Sequence, residues 1–166
     1  MNDLAERLTR LEDRFAIQDL MFRYAECVDL ARFDDLGGLF AHGTLGAEGN
    51  ERMRGASQIG KFYAATNKVH GDGTLRTRHL ASNPIIEVLG EGNARRASSR
   101  SYFVVFQATA DVPLQAIVAG RYHDRFHRVD GAWWFEDRLV LVDQIGNMKD
   151  HLSFDLARDP IPRIAG

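Results

Sequence analysis

Three side chains of this sequence have the types that metal-free proton transfer requires: Tyr24, Asp29 and His79. A carboxylate that accepts a hydrogen bond from an imidazole fixes the ring's tautomer and stabilises the imidazolium formed when the ring takes a proton. Such a ring works as a general base near neutral pH. A neighbouring phenol can donate to an oxygen on which negative charge develops. The trio suffices to abstract a proton next to a carbonyl, or to eliminate water or another leaving group, with no metal and no organic cofactor. Spacing alone does not single it out, because the chain holds six histidines. Asp29 also reads as a helix-ending carboxylate bonded to a backbone amide, and His79 as a half-buried strand residue.

The remaining polar candidates have plainer readings. Asn83 shares the His79 face by alternation, where it could hold a substrate oxygen, or it satisfies backbone groups at a bulge around Pro84. His123 and His127 alternate with Arg121 and Arg125 as a polar row on the outside of a sheet; a metal there would lack a third ligand. The other face of that strand, with Leu114, Ala116, Val118, Gly120, Tyr122 and Phe126, is expected to line a cavity or core. Arg138 and Asp143 on the last strand could reach the cavity mouth; a structural ion pair or solvent exposure is the plainer reading for each. Trp133 and Trp134 point to opposite faces. Phe22, Phe40, Phe62 and Tyr63 would line or close a pocket in the helical layer, which favours an apolar ligand. His42, His70 and His151 receive no role. Cys27 reads as a small buried hydrophobe. The glycines form no phosphate-binding pattern, and Gly55-Ala56-Ser57-Gln58 lacks the nucleophile elbow.

The elements that must position these groups follow from periodicity. Leu4, Leu8, Leu11 and Phe15 form one helical stripe; Ile17, Leu20, Met21, Tyr24 and Val28 form a second, rotated one. The shift predicts a short arm over 1–15, a bend near Ala16, and a core helix ending at Asp29. Short helices are expected over 34–40 and 57–66, with Asp34 and Ser57 as N-caps. A glycine-rich stretch over 43–55 surrounds a short strand. Four long strands are expected over 77–89, 95–108, 114–128 and 132–142, separated by turn residues; Asp130-Gly131 is the strongest hairpin signal. The basic run Arg95-Arg96 with Arg100 is expected to face solvent. Residues 150–166 carry Pro160 and Pro162 and read as an extended, nonhelical tail.

Helices first and an antiparallel meander second describe a single α+β domain. Long strands form a strongly curved sheet, here wrapped on about three N-terminal helices as a cone with an internal apolar pocket. The 166 residues are 45% hydrophobic and 27% charged, values of a globular chain. Twenty-one basic against 23 acidic side chains give a net charge of −2, so no global field attracts nucleic acid or anionic membranes. The charged N-terminus is unlike a signal peptide, and no apolar run reaches membrane-spanning length. A soluble cytoplasmic protein is the expectation. A sheet face bearing apolar and arginine residues suggests a homodimer or homotrimer.

The segment Ile17-Gln18-Asp19-Leu20…Tyr24…Val28-Asp29, then Phe33-Asp34-Asp35-Leu36…Leu39-Phe40, resembles the opening of the SnoaL-like, nuclear-transport-factor-2-like superfamily. The ending Asp130-Gly131-Ala132-Trp133-Trp134-Phe135 is similar too. The resemblance runs from about residue 10 to about residue 145. It implies the cone fold and its deep apolar pocket. Within the superfamily the likeness is to the branch of scytalone dehydratase, hexachlorocyclohexane dehydrochlorinase and bile-acid 7α-dehydratase. Those enzymes use an Asp-His dyad, and Asp29 and His79 match its two positions; Tyr24 matches a tyrosine of the bile-acid enzyme. Two features depart from the pattern. No second histidine stands between Arg95 and Ala108, and no aromatic residue stands between Leu45 and Asn50. The resemblance thus implies a cofactor-independent lyase or isomerase acting on a small hydrophobic, aromatic or polycyclic substrate. The same superfamily holds noncatalytic ligand-binding modules and small subunits of ring-hydroxylating dioxygenases, which is the alternative.

Overall fold

The computed structural model describes residues 2–163. Helices α1 (Asn2–Asp29) and α2 (Phe33–Gly38) lead to two short strands, β1 (Thr44–Ala47) and β2 (Met53–Arg54). Helix α3 (Gly55–Thr66) follows, then a meander of four long strands: β3 (Thr77–Leu89), β4 (Arg96–Gln107), β5 (Gln115–Val129) and β6 (Ala132–Ile145). The strands form one curved α+β sheet in the order β2-β1-β6-β5-β4-β3. All neighbours are antiparallel except β1 and β6. Among the described residues, no helix is long and apolar enough to cross a membrane.

The predicted arm and core helix are one uninterrupted helix, α1. Its two stripes face different ways. Ile17, Leu20, Met21, Tyr24, Cys27 and Val28 are buried against the sheet, whereas Leu4, Leu8, Leu11 and Phe15 are 53–73% exposed. The first stripe therefore has no partner within the described residues of this chain. Arg95 does not face solvent as predicted. It is 4% exposed and is bonded to Asp13 of α1 at 2.9 Å and to Glu6 at 2.8 Å. Asp13 also accepts from Trp133 Nε1 at 2.8 Å. Arg96 and Arg100 are exposed.

The short helices begin earlier than predicted, and neither Asp34 nor Ser57 is an N-cap. Arg32 and Arg54 hold those positions without a side-chain cap bond. At α3, Gln58 instead accepts the Arg54 backbone N–H at 2.8 Å. The Asp130-Gly131 hairpin forms as predicted, with both residues at positive φ (50° and 80°), the geometry its turn type requires.

Bulges decide which side chains enter the cone. On β3 the register slips between Ser82 and Ile85. Thr77, His79 and Ala81 face inward before it, and Ile86 and Val88 after it. On β6 the pairing of Arg125 with Asp137 and of Phe126 with Phe135 leaves Glu136 extra. That turns Arg138 inward beside Asp124. On β5 a slip at Val105/Phe106 places Ile117 and Val118 both inside, while Leu114 and Ala116, expected on the inner face, are exposed.

Candidate active site

Asp29 is the last residue of α1. The chain then reverses through Ala31, at φ 53°, with Arg32 N–H bonded to the Cys27 carbonyl at 2.8 Å. The end of α1 is tied to the start of β3: Leu75 N–H donates to the Asp29 carbonyl at 3.0 Å. Three donors converge on the carboxylate. Thr77 Oγ1 donates to Oδ1 at 2.6 Å, the His79 backbone N–H donates to Oδ2 at 3.0 Å, and His79 Nδ1 lies 2.6 Å from Oδ1. Burial by itself would raise this carboxyl, but the bonds and charge of His79 and the bond from Thr77 hold it below the ordinary value. An ionised carboxylate only accepts, so the proton on Nδ1 is fixed there and Nε2 carries the free lone pair.

His79 lines a cavity of about 150 Å³. Its walls are mostly apolar: Val28, Leu45, Phe103, Val105, Val118 and Val140 from the helix and sheet, with Phe62 from α3. A dry cavity of about this size takes a single benzene-sized ring. The C-terminal segment forms the remaining wall, through Met148, His151, Leu152, Phe154, Leu156 and Ile161.

Phenols occupy the wall facing α1. The Tyr24 and Tyr63 hydroxyls are 2.6 Å apart, and Tyr122 packs edge-on to Tyr24 at 5.9 Å between centroids. Burial raises the pKa of Tyr24 and pushes those of Tyr63 and Tyr122 well above the usual phenol value. All three are therefore hydrogen-bond donors at neutral pH. Behind them lies a fully buried ion pair. Arg138 donates from Nε and Nη2 to Asp124 at 2.9 and 2.8 Å, with both side chains 0% exposed. The guanidinium sits 4.2 Å from both the Tyr24 and Tyr122 ring centroids. This arrangement brings cation–π attraction to both rings.

The structure thus gathers His79, Tyr24, Phe62, Tyr63 and Tyr122 at one cavity, with Asp29 bonded to His79 behind its wall, and leaves three other expected residues outside it. Phe22 is 51% exposed on the outer side of α1, one position round the helix from buried Met21. Phe40 is buried behind the phenols, stacked on Phe135 at 4.7 Å. Asn83, at φ 42°, lies in the β3 bulge, is exposed, and accepts from Ser82 Oγ. Asp124 and His151 were not expected here, whereas Arg138 forms a structural ion pair as its plainer reading had it, with Asp124 as the partner. The Arg138 pairing hides behind a bulge. For His151, the available signal was the spacing of apolar Met148, Leu152, Phe154 and Leu156 along a segment read as tail. Asp143 pairs on the surface with Arg121 at 2.7 Å. Among the described residues, no three of His, Cys, Asp and Glu come together as a metal site.

A family model described as a SnoaL-like domain matches residues 9–138. No curated protein matches the sequence. Solved structures do. One is an NTF2-like protein with a cystatin-like fold from Novosphingobium aromaticivorans, at 21% identity and TM-score 0.69, covering 86% of this chain and 89% of that one. A candidate scytalone dehydratase from the same organism superposes at TM-score 0.64 with 26% identity, over 87% of this chain and 89% of its own. The β subunit of a candidate aromatic-ring-hydroxylating dioxygenase, again from that organism, has TM-score 0.64 and 22% identity, covering 82% and 93%.

Proposed function

The chain belongs to the SnoaL-like domain family, and on that premise we propose that it is a cofactor-independent lyase or isomerase with His79 as its base. One observation carries the reading. His79 Nδ1 is held at 2.6 Å by a carboxylate that three donors orient, and the ring lies on the wall of a mostly apolar cavity. That is the geometry of an oriented general base.

In the proposed reaction His79 Nε2 takes a proton from a substrate carbon, and Asp29 stabilises the resulting imidazolium. The C–H electron pair then has two outlets. In elimination it forms a carbon–carbon double bond while the leaving group departs with its own bonding pair. In isomerisation it forms an enolate whose charge sits on oxygen, and the imidazolium returns the proton to another carbon. Tyr24, protonated and on the cavity wall, donates to that oxygen. Phe62, Tyr63 and Tyr122 hold the ring of the substrate. The cavity volume favours a monocyclic substrate over a polycyclic one.

An assembly module analogous to a dioxygenase β subunit is the second reading. It is favoured by the exposed Leu4, Leu8, Leu11 and Phe15 stripe, which supports association with a partner or as a homodimer or homotrimer. The open cavity and the oriented dyad support the enzyme. The test is hydrogen–deuterium exchange at the α-carbon of small cyclic ketones such as cyclohexanone in D₂O, followed by mass spectrometry. The wild type is expected to accelerate exchange, and Asp29→Asn and His79→Ala to abolish most of it. Exchange no faster than buffer across the ketones, or exchange undiminished in both variants, sinks the reading.

A further inference from the structure

His151 stands in the cavity wall with no part in the chemistry above. It is 5% exposed, and its ring centroid is 6.2 Å from that of His79. Its Nδ1 is buried without a hydrogen-bond partner. A buried imidazole left unanswered is unfavourable, and a native site tolerates one where something else answers it.

Most other polar groups of the wall are committed. The Tyr24 and Tyr63 hydroxyls bond each other at 2.6 Å, which leaves one O–H of the pair to donate to a substrate oxygen. Thr66 Oγ1 donates to the Phe62 carbonyl, and Asn67 Nδ2 donates to the Tyr63 carbonyl. His79 Nδ1 is held by Asp29.

The backbone around His151 is fixed on both sides. Lys68 N–H donates to the His151 carbonyl at 2.8 Å, and Ser153 N–H donates to the Thr66 carbonyl at 2.8 Å. The Asp150 carbonyl receives Gln107 Nε2 at 3.1 Å, and its carboxylate receives Thr109 Oγ1 at 2.7 Å. The ring is therefore held in place by α3 and β4 rather than resting there by chance. The titratable groups that face it are His79, Asp29 and His70; burial and the neighbouring His79 lower its pKa to about 3, so the ring is neutral. A neutral imidazole has one donor and one acceptor nitrogen.

We propose that His151 supplies an oxygen contact of this site in addition to Tyr24: its ring hydrogen-bonds a hydroxyl or carbonyl oxygen of a monocyclic apolar substrate held against His79. This rests on the reading of His79 as the base. Both rings line the one cavity, with centroids 6.2 Å apart, so a substrate seated in it meets both. The substrate class is accordingly a ring-sized alcohol or ketone, with the oxygen on the side of the C-terminal segment.

Phenol and toluene test it, since they share shape and differ in the hydroxyl. Both are titrated by NMR or calorimetry into wild type, His151→Leu and His151→Gln. Wild type is expected to bind phenol roughly tenfold more tightly than toluene, about the effect of one good hydrogen bond. His151→Leu is expected to lose that preference while keeping or improving toluene binding, and His151→Gln to restore part of it. A phenol preference that survives in His151→Leu overturns the oxygen contact. If the same wild type still exchanges cyclohexanone hydrogens, only this assignment falls and the base stands. A wild type that neither exchanges them nor prefers phenol overturns both.

Discussion

Nδ1 of His79 and Oδ1 of Asp29 lie 2.6 Å apart where the last residue of α1 meets the third residue of β3. The contact is over-determined. The same carboxylate takes Thr77 Oγ1 and the His79 backbone N–H, so it cannot rotate away from the ring without breaking those bonds as well. A carboxylate whose role was only to end the helix would not select the tautomer of a ring on a cavity wall.

Asp29→Asn is expected to reverse that tautomer. With its oxygen in the Oδ2 position an amide keeps the His79 backbone bond, and its NH₂ then takes the Oδ1 position, where it faces Nδ1 and the Thr77 hydroxyl and donates to Nδ1. The ring proton moves to Nε2, and the lone pair needed for proton abstraction is lost. Activity should fall by about 10²–10⁴-fold, the range of general-base catalysis. ¹⁵N spectra of the His79 ring check the cause without any substrate. A variant that keeps the Nδ1–H tautomer contradicts the mechanism.

The Asp29 carboxyl also gives a pH dependence. Its folded pKa is lowered below the ordinary carboxylate value of 3.8. The stabilisation is therefore complete above about pH 4 and is lost as the pH falls through the folded value. Urea denaturation of wild type and Asp29→Asn between pH 5 and pH 2 should converge as the solution is acidified. Parallel curves would mean that the carboxylate is not preferentially stabilised in the fold.

Much of this arrangement was legible in the sequence, and the exceptions share a cause. Period-2 and period-3.6 patterns place β3 to β6 and the Ile17–Val28 face, because burial on one side dictates them. A bulge adds one residue and reverses every later side chain. Asn83 leaves the His79 face for that reason, and Arg138 enters the cone for the same one. Phe22 was misplaced differently: it follows Met21 by one residue, a turn of about 100° around the helix axis. His151 had only the spacing of its apolar neighbours to mark it, since its segment is held by hydrogen bonds to residues 66–68 and to Gln107 rather than by regular pairing. The dyad itself emerged from residue types joined to a family likeness, not from spacing.

The buried pair Arg138–Asp124 is expected to behave asymmetrically on substitution. Burial opposes the guanidinium charge, but Asp124 beside it holds the pKa above the ordinary arginine value. Removing the arginine alone leaves an uncompensated carboxylate in the core, behind Tyr24 and Tyr122. Arg138→Met should cost about 3–5 kcal/mol of stability. The double change Asp124→Leu with Arg138→Met should recover most of that, since apolar side chains of similar volume often replace buried ion pairs without loss. Urea midpoints of the two variants check this. Equal destabilisation in both would show that packing against the phenols, rather than the charge pair, is what matters.

His151 links the same cavity to acid stability through a different pH window. Its folded pKa is about 3 against the ordinary histidine value of 6.5. Well above pH 6.5 the ring is neutral in both the folded and unfolded chain, and stability does not depend on it. Below that, the unfolded chain binds a proton that the folded chain refuses. The fold should then lose up to about 1.4 kcal/mol per pH unit from this group alone. The loss runs between the two pKa values, so most of it precedes the window of Asp29. His151→Leu removes the proton-binding group from both states, so its stability should decline less steeply between pH 6.5 and pH 4.5. Urea denaturation at three pH values across that window reads the difference in slope. Identical slopes for wild type and variant would place the ring in contact with water, and would remove the reason to look for a ligand that answers it.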